Sequence, residues 1–175
     1  MALALGAREG LAASTPAFQA RVVRVTDGDT LEVLRGREKI RVRLEGIDCP
    51  ELRPPQPFGR KAKDFTSERA FGKTVRVRVV TTDRYGRQVC RVAVGGRDLG
   101  ADLLRAGLAW HYKHFNREAD LAQLEAQARA RRRGLWADPK PTPPWEWRRS
   151  NRRTGLAPGS RWLAELAQVL EQQQG

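Results

Sequence analysis

Alternation of apolar and polar positions dominates the first half of the chain. Residues 18–25, 30–34 and 39–44 are short stretches rich in Val, Ile and Leu, separated by Asp-Gly-Asp and Arg-Gly-Arg turns, and they predict a three-stranded meander. In the third stretch Ile40, Val42 and Leu44 share one face while Arg41, Arg43 and Glu45 share the other, so Arg43 lies off the core. A proline-rich segment (PPQP, 54–57) precedes residues 58–70, where Ala62, Phe65 and Ala70 suit a helix ended by Gly72. Residues 74–80 read as a strand with Val75, Val77 and Val79 inward, and 88–94 as its hairpin partner.

The period then lengthens. Residues 99–106 predict a short helix closed by Gly107, followed by the strand-like Leu108-Ala109-Trp110-His111-Tyr112. Asn116 is the expected N-cap of a long helix over 117–133, with Glu118 and Asp120 in the first turn and arginines in the last. Leu121, Leu124, Ala128 and Leu135 are its core candidates. The stretch 139–147 (PKPTPPWEW) shows neither period and is expected to lie extended on the surface, with a basic linker after it. Beyond that, Trp162, Leu163, Leu166, Val169 and Leu170 fall on one face of a short amphipathic helix. Five short strands with a helix between the third and fourth is the order of an OB-fold barrel, so an α+β, mainly β fold with about three helices is expected.

Composition narrows the partner class. The 175 residues carry 33 Lys and Arg against 20 Asp and Glu, a formal net charge of +13 spread over nearly every segment. A folded surface with that excess points to a polyanion, nucleic acid first. No apolar run reaches the length of a membrane span. Two cysteines, Cys49 and Cys90, make neither a disulfide framework nor a zinc pattern. Residues 1–17 read as a leader or signal remnant, 18–149 as one domain, and 150–175 as a basic linker with the amphipathic helix.

Within this basic chain, three turn segments concentrate carboxylates and arginines: DGDT (27–30), RLEGIDCPE (43–51) and DRYGR (83–87). Together with FGRKAKDFT (58–66), LLRAGLAW (103–110) and GLWADP (134–139), all in order, the sequence resembles staphylococcal nuclease, the thermonuclease family, from about Gln19 to Trp147. A phosphodiester repels an incoming nucleophile and gains charge in the transition state, so cations have to be placed there in advance. A hard ion such as Ca²⁺ takes oxygen ligands, and Asp29 and Asp48 on separate turns are candidates for part of its shell. The resemblance implies that pair plus the backbone carbonyl of Cys49 as calcium ligands. It also implies Glu51 as the general base and Arg43 and Arg87 as clamps on the scissile phosphate.

Two further acids have structural readings: Asp27 as cap of the Gly28 turn and Asp83 as brace of the Tyr85-Gly86 turn. Tyr85 is a substrate-binding candidate, by hydrogen bonding or stacking, with burial at the barrel rim as its rival. The segment between Glu51 and Phe58 is shorter than in the family pattern and holds three prolines, which stiffens the chain next to the expected base. The function implied is a Ca²⁺-dependent endonuclease of DNA and RNA with little sequence preference, leaving 3′-phosphate ends. A monomer in a secreted or periplasmic setting is expected. The alternative is a non-catalytic nucleic-acid- or protein-binding module on the same barrel, which has no need of the full acid and arginine set.

Overall fold

The computed structural model describes residues 17–153. The leader and the amphipathic tail helix expected from the sequence lie outside the described residues. Strands β1 (Ala17–Val25), β2 (Thr30–Arg35) and β3 (Glu38–Leu44) form the expected meander. After the two-residue β4 (Ile47–Asp48) come α1 (Gly59–Ala70), β5 (Thr74–Thr82) and β6 (Gln88–Val94). The remaining elements are β7 (Arg97–Asp98), α2 (Leu99–Arg105), β8 (Trp110–His111), α3 (Ala119–Ala130), a 3₁₀ turn (Gly134–Ala137) and α4 (Pro144–Arg153).

The sheet runs β3-β2-β1-β5-β6-β7, and a parallel pairing of β3 with β6 (Val42 opposite Gln88, Leu44 opposite Cys90) closes five strands into a barrel. Closure removes the sheet edges that an open meander would expose. The inward-facing residues obey the period of two: Val22, Val33, Val42, Val75, Val77 and Val92 are all fully buried. Helices α1 and α2 cover the barrel, burying Ala62, Ala70, Leu103 and Leu104 against it.

Outside the barrel β4 pairs with β8, setting Asp48 opposite Trp110. That short ladder anchors the turn carrying Asp48 on a rigid partner. Trp110 in turn packs edge-on against Trp136 and Trp145, with ring centroids 4.4 and 5.7 Å apart.

Two expectations are corrected. Asn116 does not cap α3: the N-cap is Glu118, and the Asn116 side chain instead accepts from the Glu118 N–H while its own amide donates to Glu45. Nor is 139–147 extended throughout, because Pro144 opens a fourth α-helix that runs on through the supposed linker to Arg153. Proline at the first helical position gives up no intrahelical hydrogen bond, and Glu146 lies in the first turn, where the helix dipole favours an acid. The helix count is thus four among the described residues rather than about three.

Candidate active site

The site forms where the β1–β2 turn, the β3–β4 corner and the loop after β4 meet. At the first of these, the Asp27 carboxylate accepts from the Asp29 N–H at 3.2 Å, so Asp27 shapes the turn as expected. The Thr66 hydroxyl on α1 ties the Gly28 carbonyl at 2.6 Å. A Cβ on Gly28 would lie 2.8 Å from both Ala62 and Cys49, so it is the absence of a side chain there that lets the turn sit down on α1.

Asp29 is thereby placed in the interior, 3 % exposed. Its Oδ1 accepts from Arg43 at 3.0 Å and from the Thr30 hydroxyl at 3.1 Å, and its Oδ2 accepts from the Cys49 N–H at 2.9 Å. Arg43, directly across the ladder from Thr30, also donates to Asp48 Oδ1 at 2.6 Å. One guanidinium therefore joins both aspartates. Burial pushes the Asp29 carboxyl up to about 6, with the Arg43 charge working against that rise. For Arg43 itself burial works downward, but Asp29 and Asp48 outweigh it and hold the guanidinium firmly charged.

Glu51 follows on the proline-rich loop, which is tied down at several points. The Glu51 N–H donates to the Gln56 side chain at 3.0 Å, and the Gln56 amide donates onward to the Thr142 carbonyl at 2.7 Å. The Trp147 indole donates to the Pro54 carbonyl at 3.1 Å. The stiff loop thus rests on the segment leading into α4. Burial raises the Glu51 carboxyl above the ordinary range, against the lowering effect of Arg148.

Arg148 is the site residue that sequence reasoning missed. Its guanidinium donates to Asp48 Oδ2 at 2.7 Å and Oδ1 at 3.3 Å, and also to Glu51. The signal that could have found it was the proline-initiated turn of PPWEWRR, a helix start that puts an arginine one turn in.

Arg87 is placed differently. On the β5–β6 hairpin it donates to Asp83 at 2.7 Å, while Asp83 also accepts from the N–H groups of Tyr85 and Arg87. Those bonds make Asp83 the expected turn brace: burial pushes its carboxyl up, but the bonds from Arg87 and Tyr85 and the Arg87 charge together outweigh that and hold it below the usual range. Tyr85 is 66 % exposed, so burial at the rim is excluded, and the guanidinium groups of Arg84 and Arg87 lie 4.9 and 5.5 Å from its ring centre. Arg43, Asp29, Asp48 and Glu51 are thus brought together, whereas Arg87 and Tyr85 form a neighbouring unit. Cys49 and Cys90 are both buried free thiols. Burial pushes the Cys49 thiol well up, so a thiolate ligand does not form there.

These donors suit a hard divalent cation. Two buried carboxylates converge on one cationic group, and the donor atoms are all oxygen. Among the described residues no group of three or more His, Cys, Asp or Glu side chains is placed to hold a metal ion. A cation here would fill its shell from carbonyl, water and phosphate oxygens.

Barrel and site together define an OB-fold protein with two buried aspartates held on one arginine beside the loop that carries Glu51. Residues 41–138 match the family model described as staphylococcal nuclease homologue. An endonuclease of Escherichia coli O157:H7 is 45 % identical over 129 residues, covering 73 % of this chain and 83 % of the relative. Protein ParB of Escherichia coli is 40 % identical over 159 residues (82 % and 89 %), and micrococcal nuclease of Shigella flexneri is 37 % identical over 163 residues (85 % and 92 %). The chain belongs to the staphylococcal nuclease homologue family, a family of nucleases. No helix among the described residues is long and apolar enough to cross a membrane.

Proposed function

We propose that this protein is a Ca²⁺-dependent nuclease that hydrolyses phosphodiester bonds of DNA and RNA with little sequence preference and leaves 3′-phosphate ends. The observation that supports the reading is the convergence of Asp29 and Asp48 on Arg43, with Glu51 joined to Asp48 through Arg148. Asp29, Asp48 and the Cys49 carbonyl are the cation ligands. Bound Ca²⁺ supplies positive charge against the phosphate oxygens and polarises water next to them.

Glu51 takes the proton from the attacking water. Partial burial raises its proton affinity, which favours a base working near neutral pH. Arg43 offers a permanently charged, bidentate donor to a phosphate oxygen once a substrate competes for it. Arg87, held by Asp83 on the hairpin, is assigned to the scissile phosphate as well, and Tyr85 beside it has an exposed ring for a base. Attack in line with the 5′ oxygen as leaving group leaves the phosphate on the 3′ side. The same proposal takes the protein to act as a monomer in a secreted or periplasmic setting, where Ca²⁺ is plentiful.

Digestion of plasmid and RNA tests the reading, with Ca²⁺, with Mg²⁺ and with chelator, alongside Glu51→Gln and Arg87→Ala. Cleavage that needs Ca²⁺ and drops at least about a hundredfold in either variant is expected. Equal cleavage by all three proteins would sink the site assignment. No cleavage by the wild type, with retention of nucleic acid in chelator, would identify a binding module instead.

A further inference from the structure

The side chain that bridges Asp48 and Glu51 comes from outside the residues matched by the family model. Arg148 lies on α4, beyond position 138, yet its guanidinium takes Asp48 Oδ2 at 2.7 Å and reaches Oδ1 at 3.3 Å. With Arg43 on Oδ1 at 2.6 Å, both oxygens of Asp48 are engaged by cationic groups. Asp29 Oδ2, by contrast, is held by a neutral backbone N–H. Three carboxylates (Asp29, Asp48 and Glu51) contact two guanidinium groups, with Asp27 close beside Asp29, so negative charge is in excess. Without Arg148 that excess grows by one, and both Asp48 and Glu51 lose a cationic partner.

The helix is not loosely apposed. Trp145 stacks on Tyr112 (centroids 5.3 Å apart, planes at 18°) and meets Trp110 edge-on, while Trp147 and the Gln56–Thr142 bond fasten the Glu51 loop to the same segment. Arg148 is therefore delivered to the carboxylates by a docked element, with its side chain still one-third exposed to solvent. A mobile surface arginine would gain little from one such pair, whereas two charge-assisted contacts on buried or half-buried acceptors hold it in place.

We propose that Arg148 is a positioning residue of the site, an internal counter-cation that clamps Asp48 to Glu51 and that a divalent cation has to displace from Asp48. The inference rests on the nuclease reading above. It makes α4 part of the active site: cation entry exchanges one ligand of Asp48 for another, and Glu51 stays tethered through the exchange. An arginine fixed at this place weakens cation binding while keeping the metal-free carboxylates neutralised.

The test is titration calorimetry with CaCl₂ on the full chain without nucleic acid, together with melting in chelator. The proteins compared are wild type, Arg148→Ala, Arg148→Lys and Arg76→Ala, the last a surface-charge control on the outer face of β5. Arg148→Ala should bind Ca²⁺ about tenfold more tightly, the scale of one lost charge-assisted partner, and melt lower in chelator. Arg148→Lys, which keeps the charge and loses the bidentate contact, should fall between, and Arg76→Ala should match wild type. An arginine with only a packing role gives the opposite sign, because loosening the site weakens Ca²⁺ binding. Unchanged or weaker affinity in natively folded Arg148→Ala or Arg148→Lys overturns the inference while leaving the nuclease reading intact. Absence of Ca²⁺ binding in wild type and variants alike, with no cleavage, overturns both.

Discussion

Replacing Asp29 by Asn should stabilise the metal-free protein at neutral pH. The carboxyl is buried and its pKa is raised from 3.8 to about 6, so keeping it ionised at pH 7.5 costs the folded state about 3 kcal/mol, at 1.36 kcal/mol per unit. The sign follows from the direction of the shift. Below pH 3.8 the group is neutral in both states and costs nothing; stability is lost as pH rises toward 6, and above that the penalty stays constant. Asn keeps the shape and can still accept from the Cys49 N–H, but its amide would face Arg43, so the net gain should be about 2 kcal/mol. Urea unfolding in chelator at pH 7.5 and at pH 4 measures it: the variant should lead at the higher pH and lose most of that lead at the lower. Saturating Ca²⁺ should then reverse the order, since only the native wild-type site gains binding free energy. If the variant is the less stable protein in chelator at pH 7.5, by the same margin at pH 4, the Asp29–Arg43 pair is net stabilising and the argument from desolvation fails.

Three other outcomes are expected. Gly59→Ala would place a Cβ 2.2 Å from the Glu51 carbonyl oxygen, so it should push the base out of place and lower kcat by about a hundredfold with a stability loss of only about 1–3 kcal/mol; unchanged kcat would show that Glu51 needs no fixed backbone. Nucleic-acid binding in chelator should weaken linearly in log–log plots against salt, and a flat line would refute a backbone-contact account of the charge of +13. Cys49 and Cys90, buried and with thiols pushed up (Cys90 to about 12), should react with a disulfide reagent only as fast as the protein opens; prompt labelling of either in the native state would contradict their placement.

Period-two alternation was enough to read the barrel strands, because one face of each is buried and a slip of one residue would turn every valine outward. The same alternation put Arg43 off the core, and a few tight turns told the roles of Asp27 and Asp83 correctly. What alternation could not supply was distance along the chain. Asp29 and Arg43 face each other because β2 and β3 pair, which is local; Arg148 reaches Asp48 across 100 residues, through a helix whose proline and tryptophan content hides its period. Asn116 failed as a cap for a related reason: its amide is drawn to Glu45, a residue brought near only by the tertiary fold.

The distribution of charge follows from the work the site has to do. A uniformly basic surface attracts a polyanion but repels a divalent cation, so the cation needs a local well of negative charge, and buried carboxylates supply one at a cost in stability. Asp29, neutral until about pH 6, records that cost. Arg43 offsets part of it from within the barrel and Arg148 a further part from α4, and the two differ in what they can release. Arg43 is held between two aspartates on a paired strand, so withdrawing it would strand both; Arg148 sits at the solvent edge and can leave one carboxylate while holding another. On the nuclease reading proposed above, such a site would keep its acids apart from bulk solvent when empty of cation and would give up its outermost arginine first when a cation arrives.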